Sequence, residues 1–346
     1  MSKRAAIVGA QGYSGLALAQ YLLDHPEMTL SAVFARQIDW QLCHDINHAA
    51  AITVPTYLVD DLTKHLPELD VIFLATPAAV SIDLAPICLQ QHLLVIDISG
   101  GFRLSAEQYP NWYGFQHQAA DLLPQAHYGL VPWQQKPTSH LIANPGCYAT
   151  AALMALLPVM SHIAPDSIIL DGKSGVTGAG RSAKKQMLFA EVDSDFYPYK
   201  IGQHQHTPEI SRSIAKLTGQ FVMPKLTTQI LPISRGIAMT LYARLLPGTD
   251  QQQIDQAFQT AYQDYRLVSY ASLAQAQKHS PQLLHLKSVV NSAKTHLVYQ
   301  VDGAYLQVFS FIDNLCKGAA SQAIENLNLY FDWPVSLGLL PQEQSV

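Results

Sequence analysis

The segment Asn144-Pro145-Gly146-Cys147-Tyr148 places a cysteine directly behind a Pro-Gly turn and at the start of an Ala/Leu-rich stretch that runs to Leu157. This pattern predicts that Cys147 lies in the first turn of a helix. The main-chain N–H groups and the positive dipole end of a helix favour an anion, so they should stabilise a thiolate. A free cysteine is by default a small buried apolar residue, but the residues in front of Cys147 favour a nucleophile.

A glycine-rich loop stands near the start of the chain, between an apolar run at residues 5–8 and a helix-like pattern at residues 14–24. Glycines there permit a tight turn and allow a pyrophosphate to approach the N-terminus of the helix. The spacing is GxxGxxG instead of GxGxxG, while the position between a strand and a helix is the one that the dinucleotide fingerprint requires. The residues that we expect to bind the dinucleotide are Gly9, Gly12, Tyr13, Ser14 and Gly15.

The residues after the second predicted strand, at 30–34, indicate which nicotinamide dinucleotide is used. An NAD-specific site has Asp or Glu at this point to bind the ribose 2′-hydroxyl, whereas this chain has Ala35 and Arg36. A guanidinium suits a 2′-phosphate. Although Asp39 lies close by in the sequence, we expect NADPH to be the cofactor. A dinucleotide combined with an activated cysteine indicates hydride chemistry on a thioester or hemithioacetal.

Such a reaction needs a general acid/base, and the candidates are the histidines of the segment His204-Gln205-His206. The following Thr207-Pro208-Glu209 predicts a helix N-cap, first turn and capping carboxylate. We prefer His206, beside this cap, with Glu209 either orienting it or only capping the helix. His204 should point to the opposite side, because side chains two apart in an extended segment alternate. A surface location is the alternative for both histidines, and a metal site would need further ligands that no motif supplies.

Fixed cations are expected where an anionic substrate binds, and Arg103, Arg181 and Arg235 each lie in a loop motif beside glycine or aromatic residues. The planar guanidinium suits phosphate and carboxylate groups. A structural ion pair is the alternative for each of them. Near the C-terminus, Asn314 is expected to reach the cofactor amide, while Asp313 is expected only to cap the final helix.

The elements that must position these residues change in character along the chain. In the first half, continuous apolar runs alternate with helix-like patterns, which predicts an α/β domain with a doubly wound, Rossmann-type parallel sheet covered on both faces. We predict that this dinucleotide-binding domain spans residues 1–147 and is rejoined by residues 317–346. Its predicted strands are residues 5–8, 30–34, 70–75 and 93–97.

The second half, residues 148–316, has several strand patterns and few helices. This predicts an α+β domain with a mostly antiparallel sheet, for substrate binding, catalysis and oligomerisation. Its clear amphipathic helix is predicted at residues 250–265, and a last helix is predicted at residues 318–329. The predicted strands are residues 167–171, 221–223, 227–231, 236–244 and 304–310.

Composition narrows the class of protein. The chain has 346 residues, of which 49% are hydrophobic and 14% charged, and its net charge is −5. These values are typical of a globular enzyme and make nucleic acid an unexpected partner. Without a membrane-length apolar run, we expect no membrane partner. Four widely spaced cysteines, without CxxC pairs, argue against a disulfide framework or a zinc site and favour the reducing cytoplasm.

Seven sequence motifs occur along nearly the whole chain. They are Gly12-Tyr-Ser-Gly15, Asp97-Ile-Ser-Gly-Gly-Phe-Arg103, Asn144-Pro-Gly-Cys-Tyr148, Lys173-Ser-Gly-Val-Thr-Gly-Ala-Gly-Arg181, His204-Gln-His-Thr-Pro-Glu-Ile210, Ser234-Arg-Gly-Ile237 and Asp313-Asn-Leu-Cys-Lys-Gly-Ala-Ala320. In this order, the motifs resemble those of the N-acetyl-γ-glutamyl-phosphate reductases, the arginine-pathway relatives of the aspartate-semialdehyde dehydrogenases.

The resemblance implies an NADP-dependent reduction of a small acyl phosphate through a thioester on Cys147, by a homodimer or homotetramer. It also implies that Arg103 contacts the phosphate and that Ser174 and Arg181 bind the substrate. A lysine-pathway reductase that acts on an aminoadipyl phosphate shares the scaffold and stays an alternative. A non-catalytic dinucleotide sensor also stays open, as does a glyceraldehyde-type dehydrogenase, although this chain lacks the Ser-Cys-Thr-Thr motif of that enzyme.

Overall fold

Two seven-stranded sheets organise the chain, and each lies in a unit of its own. The computed structural model describes residues 2–340. One unit contains the described residues up to Gly146 and from Ala319 onward, and the other unit is Cys147–Gly318. The first sheet is parallel, whereas the second is mixed and mostly antiparallel. The predicted fold class is therefore confirmed.

The first sheet consists of apolar strands that pair only in parallel. They are β1 (Lys3–Val8), β2 (Met28–Ala35), β3 (Thr56–Leu58), β4 (Val71–Leu74), β5 (Leu94–Asp97), β6 (His127–Tyr128) and β7 (Leu141–Ala143). Their order is β3-β2-β1-β4-β5-β7-β6, and β4 and β5 are buried at every residue. The strand order reverses beside β1, and ligands of such sheets bind beyond the carboxyl ends of the strands at that point.

The first unit has four α-helices between residue 2 and residue 146, and the first of them follows the glycine-rich loop. They are α1 (Tyr13–Leu23), α2 (Leu62–His65), α3 (Ala78–Leu89) and α4 (Tyr109–Tyr113). α1 buries Gly15, Leu18 and Leu22, a spacing that forms one apolar face of a helix. This face packs against β1 and β2, so the first turn of α1 lies at the edge where those strands end.

The second sheet surrounds a central group of long antiparallel strands. Its strands are β8 (Ile169–Ser174), β9 (Tyr197–Pro198), β10 (Lys225–Ile230), β11 (Ile237–Arg244), β12 (Val268–Ser272), β13 (Thr295–Asp302) and β14 (Tyr305–Ile312). Their order is β12-β13-β14-β11-β8-β10-β9. β8 pairs with β10 in parallel, as β12 does with β13, and the other pairings are antiparallel.

One helix of the second unit is buried along its length. The helices there are α5 (Cys147–Leu156), α6 (Phe189–Val192), α7 (His206–Thr218), α8 (Gln251–Tyr262) and α9 (Leu273–His279). Every residue of α5 after Cys147 is buried, which is typical of a helix that is apolar all round. α5 packs on β11, β14 and α7, and its first residue is therefore its accessible end.

Two predictions about secondary structure are wrong. Residues 221–223 form no strand, since Phe221 and Met223 are exposed and Pro224, which has no N–H for a ladder, separates them from β10. The last α-helix begins later than predicted, because Cys316–Ala320 forms a π-helical turn before α10 (Ser321–Tyr330).

Within residues 2–340, no helix is long and apolar enough to span a membrane.

Candidate active site

Two glycines of the glycine-rich loop, Gly9 and Gly15, lie where a Cβ would clash with main-chain atoms. Gly9 has a left-handed backbone with φ of +86°, and a Cβ on it would lie 2.5 Å from the carbonyl oxygen of Ala75. A Cβ on Gly15 would lie 2.5 Å from the oxygen of Gly9. Gly12 precedes α1, and no side chain caps the helix there. The start of α1 therefore has no side-chain cap, and its main-chain N–H groups are suited to a pyrophosphate.

The other predicted cofactor residues of the first unit lie at the same edge of its sheet. Tyr13 and Ser14 are the half-buried first residues of α1. Arg36 directly follows the last residue of β2 and is exposed. Because β1 and β2 are parallel neighbours, their carboxyl ends meet at one edge, and the exposed guanidinium is available there to an anion.

Cys147 is the first residue of α5 and is half-buried. A Cβ on Gly318 would lie 2.7 Å from the Cβ of Cys147, so the glycine leaves the space that the cysteine occupies. Burial raises the pKa of Tyr148 and of Tyr199, and negative charge on Cys147 raises both further. These two phenols therefore stay neutral beside Cys147. No sequence pattern assigns the two tyrosines a role, and the only signal for either is that Tyr148 directly follows Cys147.

The N-terminal turns of α5 and α7 meet at Tyr148. Its ring centroid lies 5.3 Å from that of His204 and 6.2 Å from that of His206. The prediction that the two histidines point to opposite sides is wrong, because their rings are 4.7 Å apart. Gln205 between them has helical dihedral angles, φ −59° and ψ −19°, so the alternation of an extended segment does not apply.

His204 is held as a neutral imidazole. Its Nδ1 accepts the main-chain N–H of His206 at 3.2 Å, and its Nε2 lies 3.5 Å from the hydroxyl of Tyr199. Burial lowers the pKa of His204 to about 2, and the charges of His206 and Lys200 act in the same direction. Because one ring nitrogen is occupied and protonation is disfavoured, His204 is suited to fixing the start of α7.

His206 is the first residue of α7 and lies 3.9 Å, from Nε2 to Oε2, from the buried carboxylate of Glu209. The predicted cap at Thr207 is wrong, since the N-cap is Gln205 and the helix begins at His206, two residues earlier than that cap implies. In this register Glu209 stands one turn from His206, on the same face of the helix. Of the two predicted roles of Glu209, the geometry favours orientation of the imidazole.

Two of the predicted substrate arginines serve the framework of their own unit. Arg103 is buried, and its Nε and Nη2 donate to the carbonyl oxygens of Asn144 and Ile98 at 2.8 and 3.0 Å. Arg235 forms a two-point ion pair with the buried Asp313, at 3.0 and 3.1 Å. The contacts of both arginines thus have a structural role, which is the alternative to substrate binding given above. Binding of substrate by either arginine stays a prediction.

Ser174, at the end of β8, and Asn314, after β14, both lie near Gly178 of the second unit. A Cβ on Gly178 would lie 3.2 Å from Ser174 Oγ and 3.9 Å from Asn314 Nδ2. The Asn314 amide also accepts the N–H of Gly236 at 2.7 Å and donates to Thr177 Oγ1 at 3.0 Å, so it joins two loops. The cofactor role of Asn314 stays a prediction, as does the substrate role of Ser174.

Arg181, the remaining predicted substrate arginine, also lies in the second unit. Arg181 is exposed in the loop beyond the turn Val176–Ala179, and its substrate role also stays a prediction. In the part of the chain that the structure describes, no group of three His, Cys, Asp or Glu side chains is placed to hold a metal ion.

Fold and site define a class of dinucleotide-dependent oxidoreductases. A family model described as the NAD-binding domain of semialdehyde dehydrogenase matches residues 4–140, and one described as its dimerisation domain matches residues 147–314. The chain is 37% identical to the N-acetyl-γ-glutamyl-phosphate reductase of Brevibacillus brevis over 97% of each chain. It is 39% identical to that of Pectobacterium carotovorum, covering 96% of this chain and 98% of the other. The chain belongs to the N-acetyl-γ-glutamyl-phosphate reductase family, which confirms the resemblance.

Solved structures of more distant proteins share the fold. Aspartate semialdehyde dehydrogenase II of Vibrio cholerae matches 96% of this chain and 99% of its own, with a TM-score of 0.71 and 16% identity. The enzyme of Candida albicans, solved with NADP, matches 95% and 98% with a TM-score of 0.65 and 12% identity. At such identities the likeness concerns the fold alone.

Proposed function

We propose that this protein reduces N-acetyl-γ-glutamyl phosphate to N-acetylglutamate semialdehyde and phosphate, with NADPH as reductant, in arginine biosynthesis. The observation that carries the proposal is the meeting of two helix N-terminal turns, one beginning with Cys147 and the other with His206. The substrate is taken from the names of relatives that share more than a third of their residues with this chain over almost its whole length.

The first unit fits the dinucleotide. The uncapped start of α1 and the close approach of Gly15 to Gly9 support binding of a pyrophosphate there. Gly9, Gly12 and the first turn of α1 would hold the pyrophosphate, and Arg36 would hold the 2′-phosphate that distinguishes NADPH from NADH. When bound, the reduced nicotinamide supplies a hydride.

Cys147 provides the covalent chemistry. Its thiolate attacks the acyl carbon, a C–S bond forms, and phosphate leaves with the electrons of the broken C–O bond. After reduction of the resulting thioester to a hemithioacetal, the C–S bond breaks, and the aldehyde leaves while the thiolate is regenerated. Each stage develops negative charge on the former carbonyl oxygen. The N–H groups in the first turn of α5 are suited to stabilise that charge.

His206 is the proposed general acid/base. It would take the thiol proton before attack and protonate the oxyanion, and both tasks suit an imidazole, which exchanges protons near neutral pH. Glu209 stabilises the imidazolium and fixes the ring, from 3.9 Å. His204 is less suited, because burial holds it neutral and its Nδ1 is already bonded.

The test runs the reaction in reverse. Purified protein should reduce NADP in the presence of N-acetylglutamate semialdehyde and phosphate or arsenate, and NAD should be a much poorer oxidant. A parallel assay uses the aminoadipate semialdehyde derivative. A preference for that substrate would move the protein to the lysine-pathway alternative, while no oxidation of either aldehyde would contradict the proposal.

The second unit supports assembly of copies. The match of residues 147–314 to a dimerisation domain supports a homo-oligomer, and we expect a homodimer or a homotetramer. Sedimentation equilibrium distinguishes the two, and a monomer at micromolar concentration would contradict both.

A further inference from the structure

The turn that leads to Cys147 is anchored by one buried residue. Asn144 has no exposed surface, and all four of its polar groups are hydrogen-bonded inside the first unit. Its N–H donates to Asp97 O and its Nδ2 to Ala319 O, at 2.8 and 3.0 Å. Its carbonyl oxygen accepts Arg103 Nε and its Oδ1 accepts Asn326 Nδ2, at 2.8 and 3.2 Å. These bonds fix the position of Asn144. The next residue, Pro145, has no N–H that could donate a hydrogen bond.

Asn326, on α10, makes the contact that is most distant in sequence. It is 1% exposed, and its Nδ2 faces Gly129 O, Gln322 O and Asn144 Oδ1 at 2.8, 3.0 and 3.2 Å. Since all three atoms are acceptors, only the nitrogen of the amide fits this place. A Cβ on Gly129 would lie 2.4 Å from the Asn326 side chain, so the glycine makes room for this contact.

We propose that Asn326 is a positioning residue for the nucleophile, acting through Asn144 on the turn from which Cys147 begins α5. Removal of the Asn326 donor takes a hydrogen bond from the buried Asn144 Oδ1, a loss that buried polar groups tolerate poorly, while Gly129 O keeps the bond from Gln322 Nε2. The turn then loses one of its four anchors, and the helix N-terminus that stabilises the thiolate becomes less well defined. The inference takes from the proposed function only that Cys147 is the nucleophile.

The same helix offers a matched control. Asn328 is also an asparagine without exposed surface, and its Nδ2 donates to the carbonyl oxygens of Val335 and Leu337, each at 2.9 Å. Its Oδ1 lies 3.0 Å from His25 Nε2. Loss of its amide donors should therefore cost stability, as it should for Asn326, while the bonds of Asn144 are untouched.

The experiment compares Asn326→Asp with Asn328→Asp, because aspartate keeps the shape and replaces the donor by an acceptor. The rate of Cys147 alkylation by iodoacetamide is followed by mass spectrometry from pH 6 to 9, beside kcat, the KM for NADPH and the melting temperature. Both variants should melt at lower temperature. Only Asn326→Asp should need a higher pH for half-maximal alkylation, and should lose roughly 10- to 100-fold in kcat, with little change in the KM for NADPH.

Further variants protect the test against misfolding. Asn326→Ala removes the donor without adding charge, and Gly129→Ala pushes Asn326 away from the opposite side, so both should repeat the alkylation defect. Asn328→Ala is the matched control for Asn326→Ala. If Asn326→Ala folds and its Cys147 is alkylated with the same pH profile as in Asn328→Ala, the inference is overturned. Alkylation requires no substrate, so absence of semialdehyde oxidation in the wild type would contradict the proposed function and leave this inference standing.

Discussion

The loop in front of α1 and the turn in front of α5 both lead into a helix N-terminus, yet they prepare it in opposite ways. The loop leaves the start of α1 without a side-chain cap, and Gly15 lies close against Gly9, which has a left-handed conformation. The turn is held on every side through the four bonded groups of Asn144. Glycines let the main chain at a helix N-terminus approach a phosphate closely. A fixed turn is expected to hold the N–H groups at the start of α5 in place beside the proposed thiolate of Cys147.

The largest effect should come from the nucleophile itself. Cys147→Ser should bind NADPH as the wild type does and lose turnover by roughly 10³-fold or more, because a serine hydroxyl lacks the nucleophilicity of a thiolate at neutral pH. Steady-state kinetics and NADPH titration measure the two properties. Cys43→Ser, which changes a half-buried cysteine of the first unit, is the control and should retain turnover. Substantial activity of Cys147→Ser would rule out the covalent mechanism.

The acid/base residue should have the next largest effect. His206→Asn should lower kcat by about 10²- to 10⁴-fold with little change in the KM for NADPH, and one limb of the pH–rate profile should flatten. His204→Asn should do much less, because asparagine Oδ1 can accept the His206 N–H that Nδ1 now accepts. The opposite ranking would transfer the role to His204, and near-normal kcat in both variants would show that neither histidine moves the proton.

The glycine loop permits a comparison between two of its own residues. A Cβ on Gly15 meets main chain at 2.5 Å, whereas the nearest atom to a Cβ on Gly12 is 3.5 Å away. Gly15→Ala should therefore lower the free energy of unfolding by about 1–3 kcal/mol. Gly12→Ala should fold normally and bind NADPH more weakly, since its methyl group stands where the pyrophosphate approaches. Urea unfolding and NADPH titration test the pair, and equal stability of the two variants would contradict the close packing.

The smallest effect concerns pH and the structural role of His204. Its folded pKa, about 2, lies below the unfolded value near 6.5, so at pH values between them the unfolded chain binds the extra proton. The contribution of His204 to the free energy of unfolding is therefore complete above about pH 6.5. It decreases on acidification, by up to about 1.4 kcal/mol per pH unit for one proton. His25, His117 and His296 have pKa values lowered by burial and add in the same direction.

His204→Asn isolates the share of that residue. Urea unfolding at pH 7.5, 6 and 5 should show a smaller acid loss of stability in this variant than in the wild type, because asparagine binds no proton. An unchanged slope would mean that His204 is protonated in the folded protein, and that it competes with His206 for the acid/base role.

Local patterns were sufficient to place a glycine loop and a cysteine at the starts of two helices. The glycines of the first loop are visible in the sequence because only they tolerate the contacts at Gly9 and Gly15. Cys147 is visible because a Pro-Gly turn precedes it and small apolar residues follow. The fold class follows from continuous apolar strands in one half and strand-rich sequence in the other. Each of these features is a property of neighbours along the chain.

Other features were wrong or invisible in the sequence because they depend on how segments pack. Periodicity placed His204 and His206 on opposite sides, but the chain is helical at Gln205 and both rings meet Tyr148. The framework contacts of Arg103 with the main chain likewise appear only in the fold.

The sequence by itself thus determined the place of Cys147 at a helix start, the glycine loop and the class of fold, since main-chain conformation and helix polarity depend on residues a few positions apart. Only the tertiary structure decided what holds them: the contact of Asn326 with Asn144 joins positions 182 residues apart, and Gly318 makes room for a cysteine far from it in sequence. Hydrogen bonds and close approaches act over about 3 Å, and the sequence does not contain the distances between remote segments.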